Sequence, residues 1–600
     1  MKQTWVIRNK KGDVKAVAKE QNISEITAKI LINRDLASKE ERDVFLHPSV
    51  CSLKDPSCLL NAVKAAEALK RMIADNKKIR IIGDYDVDGI TSTYVLYKAL
   101  SDMGAVVDYR IPHRMEDGYG VNISMVEDCI KDGVEVLLTC DNGISEFETI
   151  KYAKENGMFV IITDHHDIPR EELDDGQIVQ KMPEADIIVN PKQPGETSSF
   201  TGYCGCVVAM KVIEACGVDI MPYLPYAAMA TLCDVMEVRD ENRVIVTLGL
   251  SELRKTRDVG LSALIEKSAL NRENISAYHI GFVIGPCLNA SGRLDTAEKA
   301  CRLLLETDMN IALKLAGELT ELNKERKEMT EEGAARAAFI IDYVAKARAE
   351  AEGVNPEGDL DRYIDKVIVV NLQDCHESIA GIVAGRIREK YNRPAFVFTQ
   401  SGDILKASGR SIDNYSMYDE LYKVKDILLR FGGHPMAAGL SIAPENFEEF
   451  QDRINEVCTL TEADLVKKIK IDAKIPFQNI SFDLINELSL LEPFGKGNEK
   501  YLFADSGLKV AQIRIFGKNS NILKLNLINS DGFKFEGIYF GDIPAVLDEL
   551  KTEFGEDEVQ KAFKGLPNCI FIAATYLPEK NEYNGIISLQ AKIQNIKVFR

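Results

Sequence analysis

Three short apolar runs, KIRII at 78–82, VEVLLTC at 134–140 and MFVIIT at 158–163, each give way at once to acidic residues. Between them, ITSTYVLYKALSDMG and SEFETIKYAKENG carry helical patterning, the first closing on Gly104. An amphipathic stretch at 61–74 precedes the first run, and a fourth run, ADIIVN, follows the third. Parallel strands need a crossover between them, so strand, helix and strand at this pace predict a parallel, doubly wound sheet.

In such sheets the functional groups collect beyond the carboxyl ends of the strands. Asp84, Asp86 and Asp88 stand there after the first run, Asp141 after the second, and Asp164, His165 and His166 after the third. Asp234, in YAAMATLCDVM, is expected within the apolar face of a later helix, where a carboxylate needs a partner or a cation. An oxygen-rich set with one or two imidazoles suits Mg²⁺ or Mn²⁺ rather than a sulfur-seeking metal, and this many carboxylates suits two ions bridged by a shared aspartate. Taken singly, DxDG and DNG are ordinary turns and DHH can be a helix cap followed by surface histidines. Their coincidence after consecutive strands is what favours a metal centre.

Several classes are excluded. Thirteen cysteines contain no CxxC pair, and Cys204 and Cys206 have the wrong spacing for a zinc knuckle, so reduced, packed thiols are expected. A net charge of -19 argues against a surface that is a polyanion receptor throughout; a nucleic-acid partner would need a local basic track. No apolar run reaches membrane-spanning length, and MKQTWVIRNKKGD lacks a signal peptide's hydrophobic stretch, so a cytoplasmic protein without a membrane partner is expected.

Residues 309–352 hold no proline and only two glycines, with heavy Ala, Glu and Lys content. They form either one helix about 65 Å long, spanning two domains, or two antiparallel helices broken near Gly333. After GVNPEGD the composition resets to a second, smaller α/β unit from Asp359 to about Glu456: strand KVIVVNL, helix SIAGIVAGRIREKY, strand PAFVFT. Its segments KASGRS and RFGGHPMAAG are expected to be loops, in which glycines permit close backbone approach beside Arg410, Arg430 and His434. Either they clamp a phosphate or sugar edge, or they are tight connections. From about 460 onward many short strands separated by turns predict a small β-barrel. Alternating Lys and aromatic residues in KFEGIYF fit base stacking, as they fit any two-faced strand.

GDYDVDG at 83–89, CDNG at 140–143, TDHH at 163–166 and TLCDVM at 231–236 resemble, in this order, the four signatures of the DHH phosphoesterase superfamily. IPHRMEDGYG, GPCLNASGRLDTA, CHESIAGIVAGRIREKYNRPAFVF, ASGRS and FGGHPMAAGL resemble its RecJ branch, bacterial exonucleases that degrade single-stranded DNA from 5′ to 3′. The resemblance implies an α/β fold: a parallel-sheet DHH domain at 61–305, a long connecting helix at 306–355, a smaller α/β DHHA1 domain at 356–457 and an OB-like β-barrel at 458–600, with residues 1–60 packing on the core. It implies Asp86, Asp88, Asp141, His165 and Asp234 as metal ligands, two Mn²⁺ or Mg²⁺ ions, and Asp84, Asp86, Asp164 and His166 as the catalytic set. Related phosphoesterases carry a histidine where this chain has Ile82, so Asp84 either ligates directly or orients a bound water. His166 is expected to face the phosphate, with Asp164 fixing an imidazole tautomer. Asn289, Gly432, Gly433 and His434 are implied as substrate contacts, and Arg114, Arg293, Ser408 and Arg410 as the pocket for a terminal 5′-phosphate. A monomer is expected, working with a helicase and a single-strand-binding protein in DNA repair and recombination. Two rivals stand beside this expectation: a DHH/DHHA1 phosphodiesterase for oligoribonucleotides or cyclic dinucleotides, and an inactive nucleic-acid-binding scaffold. Crowded carboxylates that repel one another bring a scaffold no advantage.

Overall fold

In the computed structural model, which describes residues 3–172, 178–355, 360–583 and 585–599, the β-branched runs pair into a parallel sheet. Its strands are Lys78–Ile82 (β1), Val106–Arg110 (β2), Val136–Cys140 (β3), Phe159–Thr163 (β4) and Ile187–Val189 (β5), in the order β2-β1-β3-β4-β5. The three acid-tipped strands are therefore lateral neighbours. β2 was not signalled by hydrophobicity, because VVDYR is a half-buried edge strand whose Asp108 takes an ion pair from Arg80 at 2.6 Å. Helices Ala62–Ala74 (α1), Val87–Asp102 (α2), Phe147–Glu155 (α3), Gly205–Ala215 (α4) and Leu224–Cys233 (α5) belong to the same unit.

Asp234 lies where α5 ends, not within its apolar face. It is the C-cap, and Val235 follows in the left-handed region at φ 56°. A cap position leaves the carboxylate about one-quarter exposed (29%) instead of sealed in the helix packing.

Helix Gly285–Leu294 (α6) leads on to Met309–Ala351 (α7), a single helix of 43 residues that runs unbroken through Gly333. A Cβ at Gly333 would stand 3.0 Å from Val383, so this glycine marks a close helix crossing rather than a break. The first half of α7 packs on α6, and its second half packs on Glu377–Tyr391 (α8).

Around α8 lies a five-stranded sheet: Ile368–Asn371 (β6), Ala395–Ser401 (β7), Ile404–Arg410 (β8), Arg430–His434 (β9) and Ala437–Ile442 (β10), ordered β9-β10-β8-β7-β6. The two expected loops are therefore strands. KASGRS lies largely in β8, and RFGGHPMAAG is the β9–β10 hairpin. Glycine suggested loops, but here it makes room: a Cβ at Gly409 would stand 2.6 Å from the Phe396 ring. The boundary expected at residue 356 falls outside the described residues. The one expected at 458 shifts to about 468, because Cys458 and Leu460 are buried in the core of this sheet with Phe396, Phe398 and Phe450.

The second compact unit comprises Trp5–Asp55, Val235–Ser251 and Ile469–Arg600. Strands Phe503–Phe516 (β11), Ile522–Ile528 (β12), Lys534–Tyr539 (β13), Phe571–Tyr583 (β14) and Ile586–Val598 (β15) close on themselves, β11 pairing with both β12 and β14. This is the OB-like barrel. In KFEGIYF, Phe535 turns inward and stacks on Phe477 as a core residue of a two-faced strand, whereas Phe540 at the end of the segment is exposed. The expected packing of residues 1–60 on the core does not hold for 5–55. Ile30, Leu31, Phe45 and Leu46 are buried in the barrel's own core.

Candidate metal centre

Each acid-bearing turn is shaped to deliver its carboxylate. Asp86 caps α2, its Oδ1 accepting the Gly89 N–H at 3.1 Å. A Cβ at Gly89 would lie 2.4 Å from the Asp84 carbonyl oxygen, so only glycine lets the chain double back this tightly. Asp88, in the first turn of α2, accepts the N–H groups of Gly205 (2.6 Å) and Cys206 (2.7 Å) at the start of α4. Asp141 adopts φ 62°, a strained conformation for a residue with a Cβ, which turns its side chain off the end of β3. At Asp164, Oδ1 accepts the backbone N–H of His165 (2.7 Å) and stands 2.7 Å from His166 Nδ1, while Oδ2 accepts the Ile144 N–H (3.0 Å).

These groups converge. His165 Nε2 lies 3.1 Å from Asp141 Oδ1 and 3.6 Å from both Asp88 Oδ2 and Asp234 Oδ2. Ligand atoms of Asp88, His165 and Asp234 lie within 4.8 Å of one another, and so do those of Asp84, Asp86 and Asp141. A third such set, Asp141, His165 and His166, makes Asp141 common to both sides. Asp84 Oδ1, Asp141 Oδ1 and His165 Nδ1 are buried and accept or donate no hydrogen bond. Buried oxygen and nitrogen atoms without partners, in an oxygen-rich set, fit hard divalent cations.

The electrostatics agree. Burial, then the neighbouring carboxylates, push Asp84 and Asp141 well above the ordinary range, Asp88 to about 6 and Asp234 to about 7. Asp164 goes the other way: burial would raise it, but the His166 imidazole outweighs this and holds it at about 2. Burial likewise opposes the charged form of His166, yet Asp164 lifts it to about 9. His165 is lowered by burial and by His166, which keeps its imidazole neutral and able to donate a lone pair.

Opposite the acids stands a cationic face. Arg114 lies over the Tyr85 ring at 4.9 Å, and Arg293 donates to the Ser378 carbonyl at 2.6 Å. Arg293 is pushed down to about 10, by burial first and then by Arg114, Arg326 and Arg410; burial, Arg388 and Arg114 also lower Arg410. Among the described residues none of Arg114, Arg293 and Arg410 forms an ion pair. α8 closes over Ser408 and Arg410: a Cβ at Gly381 would lie 2.8 Å from an Arg410 nitrogen. Asn289 Oδ1 accepts the Val87 N–H at 3.0 Å, tying α6 to the first acidic turn. His434 Nδ1 stands 3.8 Å from Asp167, directly after the histidine pair. Gly432 and Gly433 lie beside it in β9.

One residue at the centre was not singled out from sequence. Tyr119 Oη donates to the Asp141 carbonyl (3.1 Å) and lies 3.1 Å from His166 Nε2. The signal was present in EDGYG, where Gly118 and Gly120 both take positive φ and press the intervening ring against the site.

The sequence matches the DHH family, N-terminal domain, over residues 78–233, the DHHA1 domain over 365–460 and the RecJ OB domain over 471–595. The single-stranded-DNA-specific exonuclease RecJ of Haemophilus influenzae is 32% identical over 91% of this chain and 92% of its own length. That of Bacillus subtilis is 34% identical over 88% of this chain, which spans 64% of that relative's length. Among solved structures, RecJ of Thermus thermophilus in complex with Mn²⁺ is similar over 100% of this chain and 80% of its own, with TM-score 0.79 and 26% identity.

Proposed function

Because the chain belongs to the RecJ family of single-stranded-DNA-specific exonucleases, we propose that it hydrolyses single-stranded DNA from the 5′ end and releases 5′-mononucleotides, with two Mn²⁺ or Mg²⁺ ions in the acidic centre. The observation that carries this is the pairing of two faces: buried carboxylate oxygens without a hydrogen-bond partner, opposite three guanidiniums that form no ion pair among the described residues. A phosphodiester strand with divalent metal satisfies both.

Asp84, Asp86 and Asp141 would hold one ion, and Asp141, Asp88, His165 and Asp234 the other. Two such ions supply an acidified water and charge neutralisation at the leaving oxygen. The chain's own groups supply the remainder. Asp164 holds His166 in one orientation through its contact with Nδ1, so that the imidazole can donate to a phosphate oxygen. Tyr119 limits the rotation of that ring and of the Asp141 backbone. Arg114, Arg293, Ser408 and Arg410 take the terminal 5′-phosphate, which carries more free oxygens and more charge than an internal phosphodiester, and so fix where the strand stops. Asn289, Gly432, Gly433 and His434 border the nucleotide between the two faces. The barrel, matched to the RecJ OB domain, favours a polymer over a dinucleotide. The proposal extends to a cytoplasmic monomer that works beside a helicase and a single-strand-binding protein in DNA repair and recombination; among the described residues no helix is long and apolar enough to cross a membrane.

The test is turnover with Mn²⁺ on one DNA oligonucleotide carrying either a 5′-phosphate or a 5′-hydroxyl, beside short RNA and a cyclic dinucleotide. The phosphorylated strand should be degraded fastest, and Arg410→Ala should weaken the preference for phosphate without changing metal affinity. Faster turnover of the cyclic dinucleotide, or indifference of the wild type to the 5′ group, would sink the proposal.

A further inference from the structure

The sheet around α8 carries an ordered set of side chains beyond the phosphate pocket. Residues facing one another across antiparallel strands share a face, and the next residue on that face is two positions along, about 7 Å away. One such row is Ala395, Arg410, Ala437 and His434. The second is Val397, Ser408, Gly439 and Gly432; the third is Thr399, Lys406, Ser441 and Arg430. The first row is the one beside the acidic centre, since His434 approaches Asp167. The third row therefore lies on the far side of Ser408 and Arg410 from the carboxylates.

α8 covers this face over β7 and β8, where Val397 packs against Ile379 and Val383 and Gly381 stands close to Ser408 and Arg410. At the edge of α8, over β10 and β9, the face opens into a trough of about 430 Å³, lined among others by Glu377, Lys406, Ser408, Arg430, Gly432 and Ser441. Its floor is low because two glycines, 432 and 439, oppose each other, and a Cβ at Gly432 would meet nothing within 4 Å.

The lining specifies the ligand. Lys406 reaches the Glu377 carboxylate at 2.9 and 3.0 Å, which fixes the ammonium at the edge of the trough. Arg430 is exposed and forms no ion pair among the described residues. Thr399 and Ser441 add hydroxyls to the same row. The aromatic residue in the lining, Phe431, takes the opposite-facing position of β9 and packs near Tyr418 and Tyr422, with centroids at 5.7 and 6.5 Å. A base would find nothing to stack on, whereas phosphate oxygens would find donors along one straight row.

We propose that this trough receives the outer phosphates of a 5′-di- or triphosphorylated strand end, so that the chain accepts such ends directly. The inference rests on Ser408 and Arg410 holding the phosphate attached to the terminal nucleoside. Hydrolysis of the first phosphodiester would then break its P–O3′ bond, releasing the terminal nucleoside with its polyphosphate and a free 3′-hydroxyl, and leave a 5′-phosphate on the shortened strand.

The experiment measures binding by full-length protein in an Asp141→Ala background, so that strands stay intact. One oligonucleotide is used with a 5′-triphosphate, a 5′-monophosphate or a 5′-hydroxyl, and deoxyadenosine triphosphate is the free competitor. The triphosphate end should bind at least as tightly as the monophosphate end. Arg430→Ala should lower the ratio of triphosphate to monophosphate affinity about tenfold, and Gly432→Val, which fills the floor, should lower it further. A triphosphate end bound no better than a hydroxyl end overturns the proposal, as does a ratio that both variants leave unchanged. Monophosphate and hydroxyl ends that bind alike overturn the pocket at Arg410 and this inference together. Free deoxyadenosine triphosphate competing as well as the strand, with the same dependence on Arg430, assigns the trough to a nucleotide effector and overturns the strand-end proposal.

Discussion

Arg243 and Asp141 are buried to nearly the same degree, 1% and 2% exposed, yet the chain treats their charges in opposite ways. The guanidinium of Arg243 donates to the carbonyls of Phe45, Leu490, Leu491, Glu492 and Pro493 at 2.8–3.3 Å and lies 3.7 Å over the Phe45 ring. Every group it needs comes from its own compact unit. The charges that act most strongly on Asp141 are further carboxylates, and the buried Oδ1 atoms of Asp84 and Asp141 have no hydrogen-bond partner. A buried charge without partners is costly, so the same physics that makes Arg243 a structural rivet marks the aspartates as groups completed by something from outside.

The largest expected effect separates chemistry from stability. Asp141→Ala should reduce turnover with Mn²⁺ by orders of magnitude, because both sides of the centre lose a shared ligand. The metal-free variant should melt no lower than the wild type, since the change removes repulsion rather than a bond. Near-normal turnover would break the comparison, and so would a clear loss of metal-free stability. Arg243→Met should do the reverse, taking a donor from five carbonyls, of which only those of Leu491 and Pro493 keep one from Asn498, and costing about 3 kcal/mol in chemical denaturation. If that variant is as stable as the wild type, the carbonyl cage is not what holds residues 235–251 to their unit. For the same reason the barrel is not a detachable tail: a chain ending near Cys458 would lack the carbonyls of residues 490–493.

That last point was not legible in the sequence. The acids at strand ends were, because strand periodicity and strand order alone bring Asp84, Asp86, Asp88, Asp141 and His165 to one edge. Asp234 was found as a residue but misplaced in its helix, since hydrophobic patterning does not mark where a helix breaks into a left-handed residue such as Val235. KASGRS was misjudged because glycine and serine are turn residues by local preference, whereas here they sit in a strand against Phe396. The partners of residues 5–55 and of Arg243 are backbone carbonyls and core side chains hundreds of positions away, which no local pattern encodes.

The smallest expected effect sharpens the comparison through pH. Without metal, burial and then their acidic neighbours lift Asp88 to about 6 and Asp234 to about 7, from an ordinary 3.8. From about pH 4 to 7 the folded chain therefore holds protons that the unfolded chain has released, and stability falls as pH rises across that window. His166 adds the same sign higher up, because Asp164 lifts it from 6.5 to about 9 against the pull of burial, and its stabilising proton is lost as pH climbs through that value. Asp164 itself, held at about 2 against burial, contributes a constant stabilisation throughout this range and loses it only in acid. Metal-free protein should thus melt a few degrees lower near pH 8 than near pH 5.5, an effect kept modest because Asp234 is 29% exposed and partly screened by water. Saturating Mn²⁺ should raise the melting temperature at both pH values and more at the higher one, since the cation takes the place of the protons. Arg243→Met should shift both melting curves down together and leave the difference between them intact. A metal-free melting temperature that rises from pH 5.5 to 8 would mean that the carboxylates are satisfied from within the chain, as Arg243 is, and the contrast between the two regions would collapse.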